Sequence, residues 1–597
     1  MSSLNSFLIS TGLALSGVLV AASGAQAQAV PGGAPTREEV QRDRLEQQLR
    51  TGGPAVSVQG EVERAPCPLA NPEFAALKFT LSRAEFSGLE AIDASLVDAA
   101  WQDDVGKELP VAAVCEIRDR AATILRQHGY LAAVQVPAQT IDGGVVRFDV
   151  VLARLTQVQV RGDAGPSGRQ LQKYIDKLTG QPVFNIDDAE RYLLLARDIP
   201  GLDVRLTLQP APRDPGTKPG DVVGVFNVVR TPVYADVNVR NYGSKAVGRF
   251  GGLARMRFTG LTGLGDETVV SFFSTADFEE QRVAQASHEF RVGGEGLTLG
   301  GSFTYAWTRP DVPGPDAFRS RTMVGSLYAS MPFVRSQRAN LSGTGGLDII
   351  DQDTDFSGLP LSRDHLRVAF ARADFSAIDG DSILGRKGYS AAEPRLGVIG
   401  SLELRQGLGV LGASDGCGAG FANCLVPGVV PPSRLDGDPT GFVVRGEGRL
   451  EFRPTPLAKF SLRPRFQYSP DALLSFEQFS GGNYTVGRGY DPGAIIGDSG
   501  FGIQAEVAYG SLIPETADGL AWQYFAFVDH AEVWTKNIPG DPQGITSFGG
   551  GLRGTIARQA SLEVVAAVPL ERAPFATRKG DARVLVTLTV QLAPWHK

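Results

Sequence analysis

The sequence predicts a C-terminal antiparallel transmembrane β-barrel preceded by two small α+β units. Three observations carry this expectation. Beyond residue 232 the helical periodicity ends, and amphipathic β segments of roughly ten residues alternate with turn clusters. Residues 71–232 repeat one order of parts in two successive units of about eighty residues each. The first residues read as an export leader, and no run of about eighteen apolar residues follows that could cross a membrane as a helix.

The leader is an apolar stretch over 7–22 followed by Ser23-Gly24-Ala25-Gln26-Ala27, an A-x-A site, which makes 1–27 the expected signal peptide; a positively charged n-region is missing. With 21% charged residues and a net charge of −7, the 597-residue chain lacks the basic face that a nucleic-acid partner requires. A mean hydropathy of −0.05 argues against a helical membrane bundle. The four cysteines fall into two neighbourhoods, Cys67 with Cys115 and Cys417 with Cys424. In an oxidising compartment these suggest two disulfides, since no histidine lies near either pair to favour a metal.

In chain order, residues 36–50 read as a mobile polar helix with Thr36 as N-cap and acidic residues in its first turn. Residues 51–70 read as a linker. The first α+β unit, 71–154, contains a helix over 110–128 with Val114, Ile117, Ala121, Ile124 and Leu125 on one face and Gly129 to stop it. Strands over 130–137 and 145–152 follow, joined by the turn 141–144. The second unit, 155–232, reads as strand 155–160, helices 169–178 and 188–197, and strands 203–208 and 221–229.

From 233 to the end, about sixteen strands are expected. Alternation is clean in 501–509, where Phe501, Ile503, Ala505, Val507 and Tyr509 share a face, and in 582–592. A soluble sandwich would alternate in the same way; length and the export leader favour the barrel. Two further expected strands, 340–350 and 364–377, flank Asp351-Gln352-Asp353-Thr354-Asp355, read as a solvated acidic loop because it lacks the glycine and distal glutamate of a calcium loop.

Between two expected strands lies Thr485-Val486-Gly487-Arg488-Gly489-Tyr490-Asp491-Pro492-Gly493. Its glycines and proline forbid regular structure and bend the backbone tightly around one arginine. A loop folded into a polar lumen could bury Arg488, which then needs a counter-charge. Asp529 is the candidate, because alternation puts it on one face with Phe525 and Phe527.

These residues resemble the outer-membrane transporters of two-partner secretion, the hemolysin secretion/activation type, within the larger Omp85 superfamily of barrel assembly proteins. Val486, Gly487, Arg488, Gly489 and Tyr490 are similar to the V-R-G-[YF] tip of that family's sixth extracellular loop, with one glycine inserted. Phe527-Val528-Asp529 is similar to its F-x-D motif on strand thirteen, although Ala531 stands where the family has glycine. Gly129-Tyr130-Leu131-Ala132 resembles part of the first of two periplasmic POTRA domains, and 36–50 stands where the family has a plug helix.

The resemblance implies a signal peptide and plug helix, two α+β POTRA domains and a 16-stranded barrel (233–597) in the Gram-negative outer membrane. It further implies export, without nucleotide or cofactor, of a large unfolded TpsA-type exoprotein such as a hemolysin or filamentous adhesin, captured by the POTRA domains. Outer-membrane lipid and lipopolysaccharide would surround the barrel, and the barrel assembly machinery would insert it. An insertase for other barrel proteins is the alternative, and a diffusion porin would not need residues 36–232. Gly412-Ala413-Ser414-Asp415-Gly416 matches G-x-S-x-G, but no helix follows as a hydrolase elbow requires. Substituting Ser414→Ala is accordingly expected to leave every phenotype unchanged, as judged by secretion and growth of the variant strain.

Overall fold

The computed structural model describes residues 35–41, 56–58, 67, 69, 71–212, 214–311, 318–537, 542–574 and 576–594. The expected signal peptide, residues 42–50 of the expected plug helix, and Trp595 lie outside them.

Sixteen strands, numbered here for the barrel alone, close into one antiparallel cylinder. They are β1 Val233–Arg240, β2 Gly251–Thr259, β3 Glu267–Thr275, β4 Gln281–Val292, β5 Leu297–Thr308, β6 Phe318–Arg335, β7 Ala339–Phe356 and β8 Leu359–Ile378. The wall continues with β9 Leu396–Gly407, β10 Phe442–Phe452, β11 Ala458–Tyr468, β12 Ser499–Gly510, β13 Leu520–Trp534, β14 Gln543–Ile556, β15 Ala560–Pro569 and β16 Arg583–Ala593. The seam pairs β1 with β16, where Asn238 Nδ2 donates to Thr587 Oγ1 and Thr589 Oγ1, each at 2.9 Å. Closure leaves no strand edge open, which lipid demands of a spanning sheet.

Strands β7 and β8 are longer than the sequence alone indicates. The acidic stretch 351–355, expected as a loop, lies inside β7. Asp351, Asp353 and Asp355 share the outward face, where Arg367 meets Asp351 at 2.7 Å, Arg363 meets Asp353 at 2.8 Å and Arg321 meets Asp355 at 3.4 Å. Cross-strand ion pairs let the carboxylates sit in a β ladder, and that pairing is invisible in the acidic segment alone. Toward the α+β units the same outward faces turn apolar, with Met323, Leu327 and Phe333 on β6 and Ala369, Ala371 and Phe375 on β8. From Met323 to Phe333 a tilted strand climbs about 25 Å, the height of a lipid-facing band.

Four helices precede or serve the α+β units: α1 Arg37–Val40, α2 Ala113–Gln127, α3 Gly168–Thr179 and α4 Ile186–Arg197. In the first unit α2 buries Val114, Ile117, Ala121 and Leu125 and ends at Gly129, whose φ of +79° suits a residue without Cβ. Its sheet runs Arg83–Ser87, Val145–Leu152, Ala132–Gln135. Cys67 and Cys115 are joined, with Cα atoms 5.9 Å apart.

In the second unit α3 and α4 bury Leu171, Tyr174, Ile175, Leu193 and Leu195 against Leu155, Val204, Leu206 and Phe226 of the sheet. Asn185 caps α4, accepting from Asp187 N at 2.8 Å. The sheet order brings a correction to the expected linker: Val56–Val58 is a strand, parallel to 206–208 of Leu202–Pro210 and outermost in the sheet. Three residues are too few to show a period, so the sequence alone did not reveal it.

The second unit seats on the near end of the barrel. Arg335 forks onto Asp198, Nε to Oδ2 and Nη2 to Oδ1 both at 2.7 Å. Arg191 donates to the carbonyls of Pro332 and Phe333, Gln170 Nε2 to that of Gly293, and Lys177 Nζ lies 2.7 Å from Glu295 in the turn 293–296. A cavity of about 960 Å³ opens at this junction, lined by residues including Tyr174, Asp198, Arg291, Arg335 and Glu451.

The hydrogen bond from Lys177 holds the Glu295 carboxyl below its ordinary value. A group depressed in this way stabilises the seating above its unfolded value of 4.5 and loses that contribution as pH falls through the lower folded value. The spin-label distance between Gln172 and Arg338 is therefore expected to stay constant from neutral pH to about 4.5 and to broaden only in more acid solution.

Candidate lumen latch

The long loop between β11 and β12 folds back into the cylinder. It makes a 3-10 turn at Ser475–Glu477, then a two-stranded ribbon of Phe479–Gly481 with Ile495–Gly497, whose tip carries Arg488. Two glycines let this tip lie against the wall. A Cβ on Gly487, where φ is +119°, would come within 2.7 Å of Ile545 Cδ1, and one on Gly489 within 2.8 Å of Ser547 Cβ.

Arg488 meets Asp529 on β13 through three hydrogen bonds: Nε to Oδ2 at 2.9 Å, Nη2 to Oδ1 at 2.7 Å, and the backbone N to Oδ2 at 2.9 Å. Its Nη1 reaches Glu506 Oε2 at 3.2 Å, and its guanidinium carbon stands 3.4 Å from the centre of the Phe527 ring. One cation thus meets two carboxylates and an aromatic face. Asp529 is fully buried while the Arg488 side chain keeps 13% of its exposure.

The neighbouring motif residues pin the tip. Val486 is buried against Gly502, where a Cβ would stand 2.9 Å from its Cγ2. Gly489 N donates to Ser547 Oγ at 3.2 Å, and the Tyr490 hydroxyl donates to Thr546 O at 2.8 Å. Ala531, in place of the family's glycine, packs its methyl into the apolar cluster of Val486, Tyr490 and Ile545.

A second ionic cluster, which the sequence did not disclose, holds the loop nearer its root. Arg405 on β9 donates Nε and Nη2 to the two oxygens of Glu477 at 3.0 and 2.9 Å, and Nη1 to Asp348 and Glu403 at 2.9 Å. Arg445 Nη2 adds a contact to Glu477 at 2.7 Å. Burial opposes ionisation of Glu477, yet Arg405 and Arg445 outweigh it and hold the carboxyl at about 2. Alternation marks Arg405 and Arg445 as lumen-facing, but nothing local to Glu477 names their partner.

The same pore holds α1. Expected as mobile, it is buried, with Glu38, Glu39 and Val40 all enclosed. Thr36 and Glu39 form a reciprocal capping box, and Val40 joins lumen-facing Leu253, Phe273, Ile350 and Leu366 in one apolar cluster. Glu38 pairs with Arg37 and Arg465 and accepts from Ser480 Oγ at 2.7 Å, so helix, loop and wall share one carboxylate. Burial works against this charge, but the two arginines pull its pKa well below the carboxylate range. The far mouth is tied by Arg434, which donates Nη1 to both oxygens of buried Asp498 at 2.7 Å. Arg434 belongs to the loop 408–441, where Cys417 and Cys424 are bonded with Cα atoms 5.0 Å apart.

Residues 221–554, more than half of the chain, match the family described as haemolysin secretion/activation protein ShlB/FhaC/HecB. The chain belongs to that family. Residues 79–152 match its ShlB-type POTRA domain. Among curated relatives, the heme/hemopexin transporter protein HuxB of Haemophilus influenzae is 24% identical over 31% of this chain and 32% of its own. The outer membrane transporter CdiB of Escherichia coli O6:K15:H31 is 24% identical over 38% of each. The matched stretch is thus only about a third of the length of these relatives. Over nearly full length, the structure resembles CdiB from Escherichia coli, with a TM-score of 0.69 at 18% identity, covering 93% of this chain and 96% of that one. CdiB from Acinetobacter baumannii gives 0.62 at 18% identity over 92% and 96%. The barrel therefore sits in the outer membrane with the POTRA domain in the periplasm, and its near and far ends are the periplasmic and outer mouths.

Removing Arg488 would leave a buried, unpaired Asp529, a change worth about 3–5 kcal/mol. The Arg488→Ala variant is expected to lose its heat-resistant gel mobility at lower temperature. The double variant with Asp529→Ala should be less destabilised than the two single losses added together.

Proposed function

We propose that the protein is a translocation pore that exports one large unfolded TpsA-type exoprotein by two-partner secretion. The observation that carries this reading is the filling of the lumen. A sixteen-stranded cylinder encloses a wide polar channel, and here two covalently attached segments, α1 and the loop 469–498, occupy it through ion pairs. Ionic contacts can be exchanged for water and for a passing chain, and the apolar contacts that accompany them are confined to two small clusters, around Val40 and around Tyr490. A diffusion pore has no use for such stoppers.

The two α+β units act as POTRA domains, the second by its matching order of parts, and capture the exoprotein by adding its extended segments to their sheet edges. No nucleotide enters; folding of the cargo outside makes its return unfavourable. The Arg488–Asp529 contact serves as the latch that positions the loop. Outer-membrane lipid and lipopolysaccharide surround the outward band, and the barrel assembly machinery inserts the chain. Catalysis forms no part of this reading: Ser414 Oγ accepts from the backbone N of His365, tying the loop 408–441 to β8.

Deleting the gene is expected to remove a single large polypeptide from the medium or cell surface. Depletion of many outer-membrane proteins would instead support an insertase. In planar bilayers, deleting residues 36–41 should raise open-channel occupancy several-fold, and an unchanged record would count against the plug. Asp529→Arg alone should abolish export, with partial recovery when combined with Arg488→Asp.

A further inference from the structure

The barrel's outward face is electrically one-sided. Among the described residues, and with Arg335 at the periplasmic end set aside, strand alternation places outward no lysine and only five arginines: Arg282 on β4, Arg319 and Arg321 on β6, and Arg363 and Arg367 on β8. All five stand toward the outer ends of their strands. The outward aspartates of β7 number three, so this flank keeps a surplus of two positive charges.

Register gathers these side chains. Arg282 lies opposite Trp307, Trp307 opposite Arg321, Arg321 opposite Asp353 and Asp353 opposite Arg363, a single cross-strand row from β4 to β8. Strands two apart are separated by about 10 Å, so Arg282 and Arg321 flank the Trp307 ring at a distance that two long side chains can close onto one headgroup. Arg319 stands one outward position further out, about 7 Å along β6. Arg363 and Arg367 are paired with Asp353 and Asp351, whereas Arg282 and Arg319 are exposed and form no ion pair with any described residue. Arg321 meets Asp355 only at 3.4 Å and keeps 53% of its side chain open.

Beneath the row the surface changes at once. Tyr305 packs on Trp307 with ring centres 4.5 Å apart, and Met323, Phe303 and Leu327 follow toward the periplasm, the last two 47% and 68% exposed. From Arg321 to Leu327, guanidinium groups, an amphipathic aromatic pair and bare hydrocarbon surface succeed one another over about 20 Å. A phosphate above acyl chains matches that order. A soluble anion matches only its first part, and a phospholipid brings one phosphate where the row presents three available cations.

We infer that this flank is a binding site for one lipopolysaccharide molecule of the outer leaflet. The phosphates of its lipid A lie on Arg282, Arg319 and Arg321, the edge of its sugar on Trp307, and its acyl chains on Phe303 and Leu327. Arginine suits the task because its planar fork grips phosphate through two parallel hydrogen bonds. The inference rests on the lipid-covered outward band proposed above and is independent of export.

The test uses the full-length protein purified in a neutral detergent. Native mass spectrometry with a short-chain lipopolysaccharide carrying both lipid A phosphates should show one molecule retained per chain. The R282Q/R319Q/R321Q variant is expected to weaken retention at least about ten-fold. The same loss of charge at Lys78, Arg126 and Arg161, all exposed in the periplasmic units, should leave retention unchanged. Phosphatidylglycerol should be held at least about ten-fold less tightly, and an excess of inorganic phosphate should not displace the lipopolysaccharide. Heat-modifiable gel mobility reports whether the triple variant is folded; if it is not, R282Q/R319Q, which breaks no ion pair, takes its place. Undiminished retention by the folded variant, an equal loss in the periplasmic control, or equal retention of phosphatidylglycerol overturns the site. Displacement by inorganic phosphate overturns the lipid as its ligand. A chain that stays soluble without detergent overturns the lipid-covered band itself.

Discussion

The architecture depends on one exchange of charge across a lumen. Asp529 has no exposure, and a carboxylate so placed is tolerable only when a cation and donors surround it. Arg488 supplies the guanidinium and a backbone N–H together, which is possible because the chain turns at that residue. The tip must therefore lie flat on the wall, and that in turn requires the glycines on either side of it. The same loop brings Glu477 to Arg405 and Arg445 and Ser480 to Glu38, the remaining two ionic clusters.

The stopper and the infolded loop are not independent plugs. Glu38 of α1 accepts from Ser480 of the loop and pairs with Arg465 of the wall, so displacing either segment strips a partner from the other. Such sharing gives cooperativity in the ordinary sense of a coupled equilibrium. At Glu38 and Glu477 burial opposes the charge, but the neighbouring arginines outweigh it and favour the ionised carboxylate.

Much of the fold was legible because its governing period is short. Lipid outside and water inside impose alternation on every strand, and the sequence keeps that alternation through β12 and β16. Arg488 and Asp529 stood out for a different reason: one arginine bracketed by glycines demands a carboxylate, and strand parity offered Asp529. The rest was hidden for physical causes. Arg405 meets Glu477 across a lumen, a partnership set by the loop's path. The strand at 56–58 is defined by the edge it joins and carries almost no signal of its own. The buried state of α1 reverses the impression given by its polar composition, because its polar residues are met by a polar wall.

The outward ladder on β6, β7 and β8 has one more consequence. Methionine, leucine and alanine give way to paired aspartate and arginine at a sharp level, between Met323 and Arg321 on one strand and between Ala369 and Arg367 on another. This level is a waterline. A barrel that sank by a single residue pair would drag Asp351 and Arg367 toward hydrocarbon, whereas one that rose would lift bare alkyl surface into water. The molecule's draught is thereby fixed on this flank, and any tilt during transport must pivot about it.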